Sequence, residues 1–262
     1  MSGNISRIER IKTDAVSFIR NYFEKNGDEN TKAVIGVSGG KDSSVVSALC
    51  CEALGKNRVV GVMMPNGIQK DIDDSKKLCS FLGIENYTVN IEDAYKGISG
   101  AITSAMNRSE IPAQFSTNTP SRLRMAALYG VTAMIGNARV SCNGNLSERL
   151  AGFYTLWGDG SGDFAPLAYL FVSEVVQLGL SLGLPEELVK KAPSDGMCGM
   201  TDEEKLGFTY DELEKVARGK TDGMNPQKAA EISRKIKGFS WKRALLGIPC
   251  FVPADKNPAD YI

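Results

Sequence analysis

AVIGVSGGKDSSVVSALCCEAL, residues 33–54, runs from an apolar stretch through small polar residues into a second apolar-rich stretch. Ala33-Val34-Ile35-Gly36-Val37 has the unbroken apolar character of a buried strand. Val45 to Leu54 reads as a helix stopped by Gly55. Between them lie Ser38, Gly39, Gly40, Lys41, Asp42, Ser43 and Ser44. Strand, glycine turn, helix is the order that aims free backbone N–H groups at an anion. Gly39 and Gly40 carry no Cβ, so the chain can turn sharply and come close to a phosphate. The three serines offer hydroxyl donors, and Lys41 a mobile positive charge.

The loop is not of the Walker A type. That pattern has four residues between its glycines and then Gly-Lys-Ser/Thr. Here Gly36 and Gly40 enclose three residues, and Asp42 follows Lys41. An acid beside a phosphate loop repels the phosphate unless a cation lies between them. Asp42 is therefore expected to ligate Mg²⁺. The plainer alternative makes it only a helix N-cap.

The chain of 262 residues is 42% hydrophobic, enough for one sizeable globular domain spanning residues 1–262. Its 31 basic and 31 acidic residues balance to a net charge of +0. A dedicated nucleic-acid binder usually carries a basic excess, so no nucleic-acid partner is expected. No apolar run of about 18 residues exists, so no membrane span is expected. MSGNISRIERIK lacks the apolar core of a signal peptide, which points to the cytosol. Cys50, Cys51, Cys79, Cys142, Cys198 and Cys250 form no CxxC pair. Histidine is absent, which excludes chemistry built on a histidine base or ligand.

Residues 5 to 25 have one apolar stripe of Ile8, Ile11, Ala15, Phe18 and Tyr22, the pattern of an amphipathic helix packed on the domain. Arg58 to Met64 reads as a second strand, Asp71 to Leu82 as a helix, and Tyr87 to Val89 as a third strand. Ile91 to Asn107 reads as a helix weakened by Gly97 and Gly100. Pro112 to Pro120 reads as a loop leading into a helix over Ser121 to Ile135, and Arg139 to Cys142 as a fourth strand. Glu148 follows that strand and is either a second metal ligand or a solvated helix-start acid. Trp157 to Asp163, glycine-rich with two aspartates, reads as a substrate loop or a plain turn. Ser173 to Leu182 and a stretch opened by Pro185 read as helices. Ala192 to Leu206 has the least regular pattern. Thr201 with Glu204, and Thr209 with Glu212, have capping-box spacing. Asn225-Pro226 opens a last helix that Gly238 ends. The tail, Phe239 to Ile262, reads as extended and poorly ordered near its end. Strands alternating with helices imply a parallel α/β sheet with its ligand at the carboxyl ends of the strands.

SGGKDS resembles the pyrophosphate loop of the N-type ATP pyrophosphatases, which cut ATP between its α- and β-phosphates and activate a substrate as its adenylate. Four later segments resemble one member, the ammonia-dependent NAD synthetases. They are MPNGIQKD from Met64, NTPSRLRMAALY from Asn118, the stretch Asn143 to Asp163, and Pro193-Ser194-Asp195 with Thr201 to Tyr210. The resemblance runs from about Tyr22 to Phe251.

It implies a Rossmann-like parallel sheet with helices on both faces, of the adenine nucleotide alpha hydrolase type. It implies amidation of deamido-NAD to NAD with ATP and ammonia, through an NAD-adenylate. Gly36, Val37, Ser38, Gly39, Gly40, Lys41, Asp42, Ser43, Asn143 and Ser194 would contact ATP. Lys41 and Asp42 would act in catalysis, with Asp42 and Glu148 on Mg²⁺. Arg122, Tyr129, Asp159, Asp163 and Lys242 would contact deamido-NAD, at a site built across a homodimer interface.

The chain departs from the family where Asn145-Leu146, Leu156, Val172 and Trp241 stand in place of cationic or histidine positions. Either Lys41, Arg124 or Arg149 compensates, or the chain belongs to a divergent branch. Two other classes remain open: another amidating or thiolating ATP pyrophosphatase, and an ATP-binding module without catalysis.

Overall fold

The computed structural model describes residues 6–69, 72–190, 202–244 and 247–261. The chain opens with α1 (Arg7–Asn26), β1 (Lys32–Gly36) and α2 (Lys41–Leu54). Then come β2 (Val59–Met63), α3 (Ile72–Leu82), β3 (Glu85–Thr88) and α4 (Glu92–Ala105). α5 (Ala113–Ile135), β4 (Ala138–Val140) and α6 (Leu146–Ala151) follow. The remainder is helical: α7 (Val172–Ser181), α8 (Glu186–Val189), α9 (Asp202–Leu206), α10 (Tyr210–Ala217), α11 (Pro226–Gly238) and α12 (Ser240–Ala244).

The four strands form one parallel sheet in the order β3-β2-β1-β4. β1 is central because its middle residues are buried on both faces. Ala33 and Ile35 pack with α1, α2 and α7, and Val34 packs with α5 on the opposite face. The chain steps outward from β1 through β2 to β3, then returns to set β4 on β1's other side. That reversal opens a crevice at the carboxyl ends of β1 and β4, the usual ligand position in such sheets.

A third apolar cluster joins α6, α10 and α11 through Leu146, Leu150, Tyr210, Leu213 and Ile232. It braces α6, the helix directly beyond β4. Among the described residues no helix is long and apolar enough to cross a membrane.

Two expectations are corrected. The proposed loop Pro112 to Pro120 is helical from Ala113, and Pro120 lies inside α5. Pro120 is buried and Phe115 packs against Tyr95 of α4, with ring centroids 6.1 Å apart, so tertiary packing overrides the proline. The tail is pinned rather than loose. Cys250 bridges Ala165 in parallel, Phe251 is buried, and Lys256 reaches Glu174 at 2.5 Å. The capping box at Thr209 forms as expected. The one expected at Thr201 lies outside the described residues, as does most of the irregular stretch before it.

Candidate active site

The turn between β1 and α2 is held open by its own small residues. Gly39 has φ +76, and a Cβ there would meet Asp74 Cβ at 3.0 Å and the Ser75 backbone nitrogen at 3.1 Å. Gly40 is the N-cap of α2 and receives no side-chain cap. Its own N–H donates to Ser38 Oγ at 3.3 Å. The first helical backbone bond is from Ser44 N to the Gly40 carbonyl at 3.2 Å. The N–H groups of Lys41, Asp42 and Ser43 precede it and, among the described residues, are unfilled donors at the positive end of a 14-residue helix. The Ser43 and Ser44 hydroxyls both donate back to the Gly40 carbonyl, at 3.1 and 2.8 Å. Ser43 lines the cleft above the turn and Ser44 is wholly buried beneath it, so Ser44 offers no donor to a ligand.

Asp42 is not the helix cap, since Gly40 is. Each of its carboxylate oxygens has a partner. Lys41 Nζ donates to one and Asn145 Nδ2 to the other, both at 2.9 Å. Asn145 caps α6 in a reciprocal box with Glu148, whose carboxylate accepts from the Asn145 backbone N–H at 3.1 Å. One asparagine thus fixes both acids that the sequence marked as metal ligands.

The charge at this point is out of balance. Burial pushes the Glu148 carboxyl up to about 8, and the neighbouring Asp42 charge adds to the shift. Lys41 is buried to 4% exposure. Its desolvation is outweighed by Asp42 and Glu148, which hold its pKa above the ordinary value. Asp202 also lines the cleft, and its carboxylate accepts from the Tyr210 hydroxyl at 3.3 Å.

The described residues hold no group of three or more metal-ligating side chains. The pair fits Mg²⁺ nonetheless, because that ion is commonly held by one or two carboxylates together with substrate phosphates. A carboxyl forced to keep its proton by a neighbouring acid is the state a divalent cation relieves.

Around these groups lies a cleft of about 900 Å³. Gly36, Val37, Ser38, Gly40, Lys41, Asp42, Ser43, Asn143, Glu148, Asp159 and Lys242, all named from the sequence, border it. Asn143, at the end of β4, donates to the Gly36 carbonyl at 2.9 Å and so joins the two strand ends. Asp159 accepts from the Ser121 hydroxyl at 2.6 Å and from Thr155 N at 2.9 Å. Gly158 lets this loop lie against α5, where a Cβ would strike Ser121. Lys242 donates to the Gly152 carbonyl at 2.8 Å and to the Tyr154 carbonyl, and sits over the Tyr154 ring.

Four expected residues, Gly39, Arg122, Tyr129 and Asp163, do not border the cleft. Arg122 is exposed and donates to the Leu156 carbonyl. The Tyr129 hydroxyl donates to Asp163 at 2.9 Å, and the other Asp163 oxygen accepts from Val140 N at 2.7 Å. Tyr129 is 39% exposed on the outer face of α5. Ser194 lies outside the described residues.

Of the possible compensating cations, Arg124 borders the cleft and donates to the Met64 carbonyl at 3.0 Å, while Arg149 faces a different cavity. Sequence reasoning missed Asn145 as the orienting group. Its only signal was the Asn-x-x-Glu spacing of a capping box.

Residues 11–245 match the family model for NAD synthase. The NH(3)-dependent NAD(+) synthetase of Pyrococcus furiosus is 36% identical over 211 residues, 79% of this chain and 77% of that one. The solved structure of NMN synthetase from Francisella tularensis aligns with a TM-score of 0.79 and 30% identity, covering 96% of this chain and 100% of that one. The NH3-dependent NAD synthetase of Campylobacter jejuni aligns with a TM-score of 0.73 and 25% identity, covering 90% and 96%.

Proposed function

The chain belongs to the NAD synthase family, and we propose that it amidates the nicotinate carboxylate of deamido-NAD with ATP and ammonia. One observation carries this: the first-turn N–H groups of α2 and the pair Asp42 and Glu148 border the same cleft.

The carboxylate oxygen attacks the α-phosphorus, and the bond to the β-phosphate bridging oxygen breaks. Ammonia then attacks the acyl carbon of the adenylate. AMP leaves with the attacking oxygen, and one proton is released. The backbone donors of residues 41–43 and the Lys41 ammonium meet the charge that grows on the departing pyrophosphate. Asp42, oriented by Asn145, and Glu148 would hold Mg²⁺, which neutralises phosphate charge when bound. No base is needed for the first step, because a carboxylate is already ionised at neutral pH. Holding it in line could contribute about 7–11 kcal/mol.

The second substrate is assigned to Asp159 and Lys242 on the cleft wall. Arg122, Tyr129 and Asp163 join them in a homodimer, whose interface is assigned to the α4–α5 face. Ile98, Ile102, Met106, Tyr129 and Met134 are exposed there, which supports such a contact. A cytosolic location is supported by thiols that form no disulfide among the described residues.

The test is incubation with deamido-NAD, MgATP and ammonium. NAD and AMP should form in equal amounts, and the absence of both at saturation would remove this function.

A second substrate is favoured by the likeness to the Francisella NMN synthetase over the whole of that chain. The same chemistry on nicotinate mononucleotide gives NMN. The ratio of kcat/KM for the two acids, measured side by side, decides between them. A ratio above one for deamido-NAD supports the first assignment.

A further inference from the structure

On the far side of α6 from the cleft lies a second cavity, of about 250 Å³, which shares no lining residue with the cleft. Arg149 and Arg243 line it, 8% and 6% exposed. Neither has a carboxylate partner among the described residues. Arg243 Nη1 donates to the Ile236 carbonyl at 3.0 Å, but its Nε is buried with no hydrogen-bond partner among the described residues. Arg149 lies over the Tyr169 ring, 5.8 Å from its centroid. Both guanidiniums border this one cavity.

Two unpaired buried cations in one place cost stability, because each has lost its water without gaining an anion. The rest of the lining is of another kind: Leu146, Tyr169, Ile248 and Val252 form mostly apolar walls. A cavity of roughly 150 Å³ holds benzene. This one has room for such a ring and a charged group.

We propose that this cavity binds a small organic acid, an aromatic or branched aliphatic monocarboxylate, with its carboxylate at Arg149 and Arg243 and its body against the apolar wall. A guanidinium pair supplies forked donors that match a carboxylate. The site is independent of the amidation reaction, and no residue of the cleft takes part in it.

The probe is benzoate, titrated calorimetrically into the full chain at constant ionic strength, with inorganic phosphate as the second arm. Wild type should bind benzoate saturably. Arg243→Met and Arg149→Met should each bind it at least tenfold more weakly. Without ligand, Arg243→Met should unfold no lower than wild type, since it removes an unpaired charge. Crystals soaked in 4-iodobenzoate should show an anomalous iodine peak in this cavity.

No saturable binding to folded wild type would overturn the proposal, as would equal affinity in both variants. Phosphate binding that both variants lose, with no benzoate binding, would overturn the ligand class. Should Arg243→Met not fold, Arg149→Met and the iodine peak give the answer.

Discussion

α6 separates a cleft that acids and cations share from a cavity whose charged lining, among the described residues, is cationic. Glu148 borders the cleft, where Asp42 and Asp202 stand with Lys41. Arg149, one residue on and about 100° around the helix, borders the cavity with Arg243. A third buried cluster shows what balance looks like. The Glu174 carboxylate takes Arg7 at 2.8 Å, Arg218 at 2.9 Å and Lys256 at 2.5 Å, while Asp255 and Glu214 answer the arginines. That cluster ties both ends of the chain to α7 and has no spare capacity. Buried charge alone does not mark a ligand site. Buried cations with no counter-charge among the described residues do.

Gly40→Val should have the largest effect. The protein itself has room for a Cβ there, since among the described residues the only atom within 4 Å of it is Ser38 Oγ at 3.3 Å. The valine would instead occupy the space above the unfilled donors. ATP binding should be lost while the unfolding midpoint is kept, as calorimetry of binding and of unfolding would show. Normal ATP affinity would remove the turn from the site.

Next, Glu174→Ala leaves the buried Lys256 without its anion and Arg7 and Arg218 with one each, and should cost about 3–5 kcal/mol of stability. Turnover per folded molecule should hold. Denaturant unfolding measures the first and titration of active sites the second. A smaller cost than that of Asp42→Ala would reverse the contrast between the balanced cluster and the cleft.

Asp42→Asn should lower kcat by roughly 10²–10³, the usual size of losing one electrostatic contributor. The fold should stay intact, because the amide oxygen can still accept from one of the two donors, Lys41 and Asn145, so a single hydrogen bond is lost. Steady-state rates at saturating MgATP give the number, and an unchanged kcat would make Asp42 structural only.

The two glutamates should also differ in pH dependence. Glu148 keeps its proton to about pH 8 in the folded chain, against an ordinary value of 4.5. Between those values the folded state binds the extra proton, so its contribution to stability falls as pH rises. Glu174 is the reverse. Burial pushes its pKa up, but Lys256 and its other donors hold it below 4.5. Its contribution is therefore present above that value and lost in acid. Unfolding midpoints of Glu148→Gln should vary less than wild type between pH 5 and pH 8. MgATP should flatten the wild-type curve in the same window. Equal slopes for wild type and variant would contradict the assignment.

The glycine turn was legible because its information is local. Strand, turn and helix occupy 22 consecutive residues, and glycine, serine and the lysine–aspartate pair each report a backbone or charge requirement at their own position. The alternation of strands and helices was legible for the same reason. The start of α5 was not, because Pro120 argues against a helix and only the packing of Phe115 on Tyr95 opposes it. The tail was not legible either. Lys256 finds its partner 82 residues away and Arg7 finds the same partner 167 residues away. The second-substrate residues fall between these cases. Asp159 and Lys242 reach the cleft, whereas Tyr129 and Asp163 bond each other at its outer side.

Attack by the substrate's carboxylate on the α-phosphorus can be followed by an isotope. With both carboxylate oxygens of deamido-NAD replaced by ¹⁸O, each turnover should place one ¹⁸O in AMP and leave one in the amide of NAD. Formation of ADP, or AMP without the label, would contradict adenylate transfer at the glycine turn.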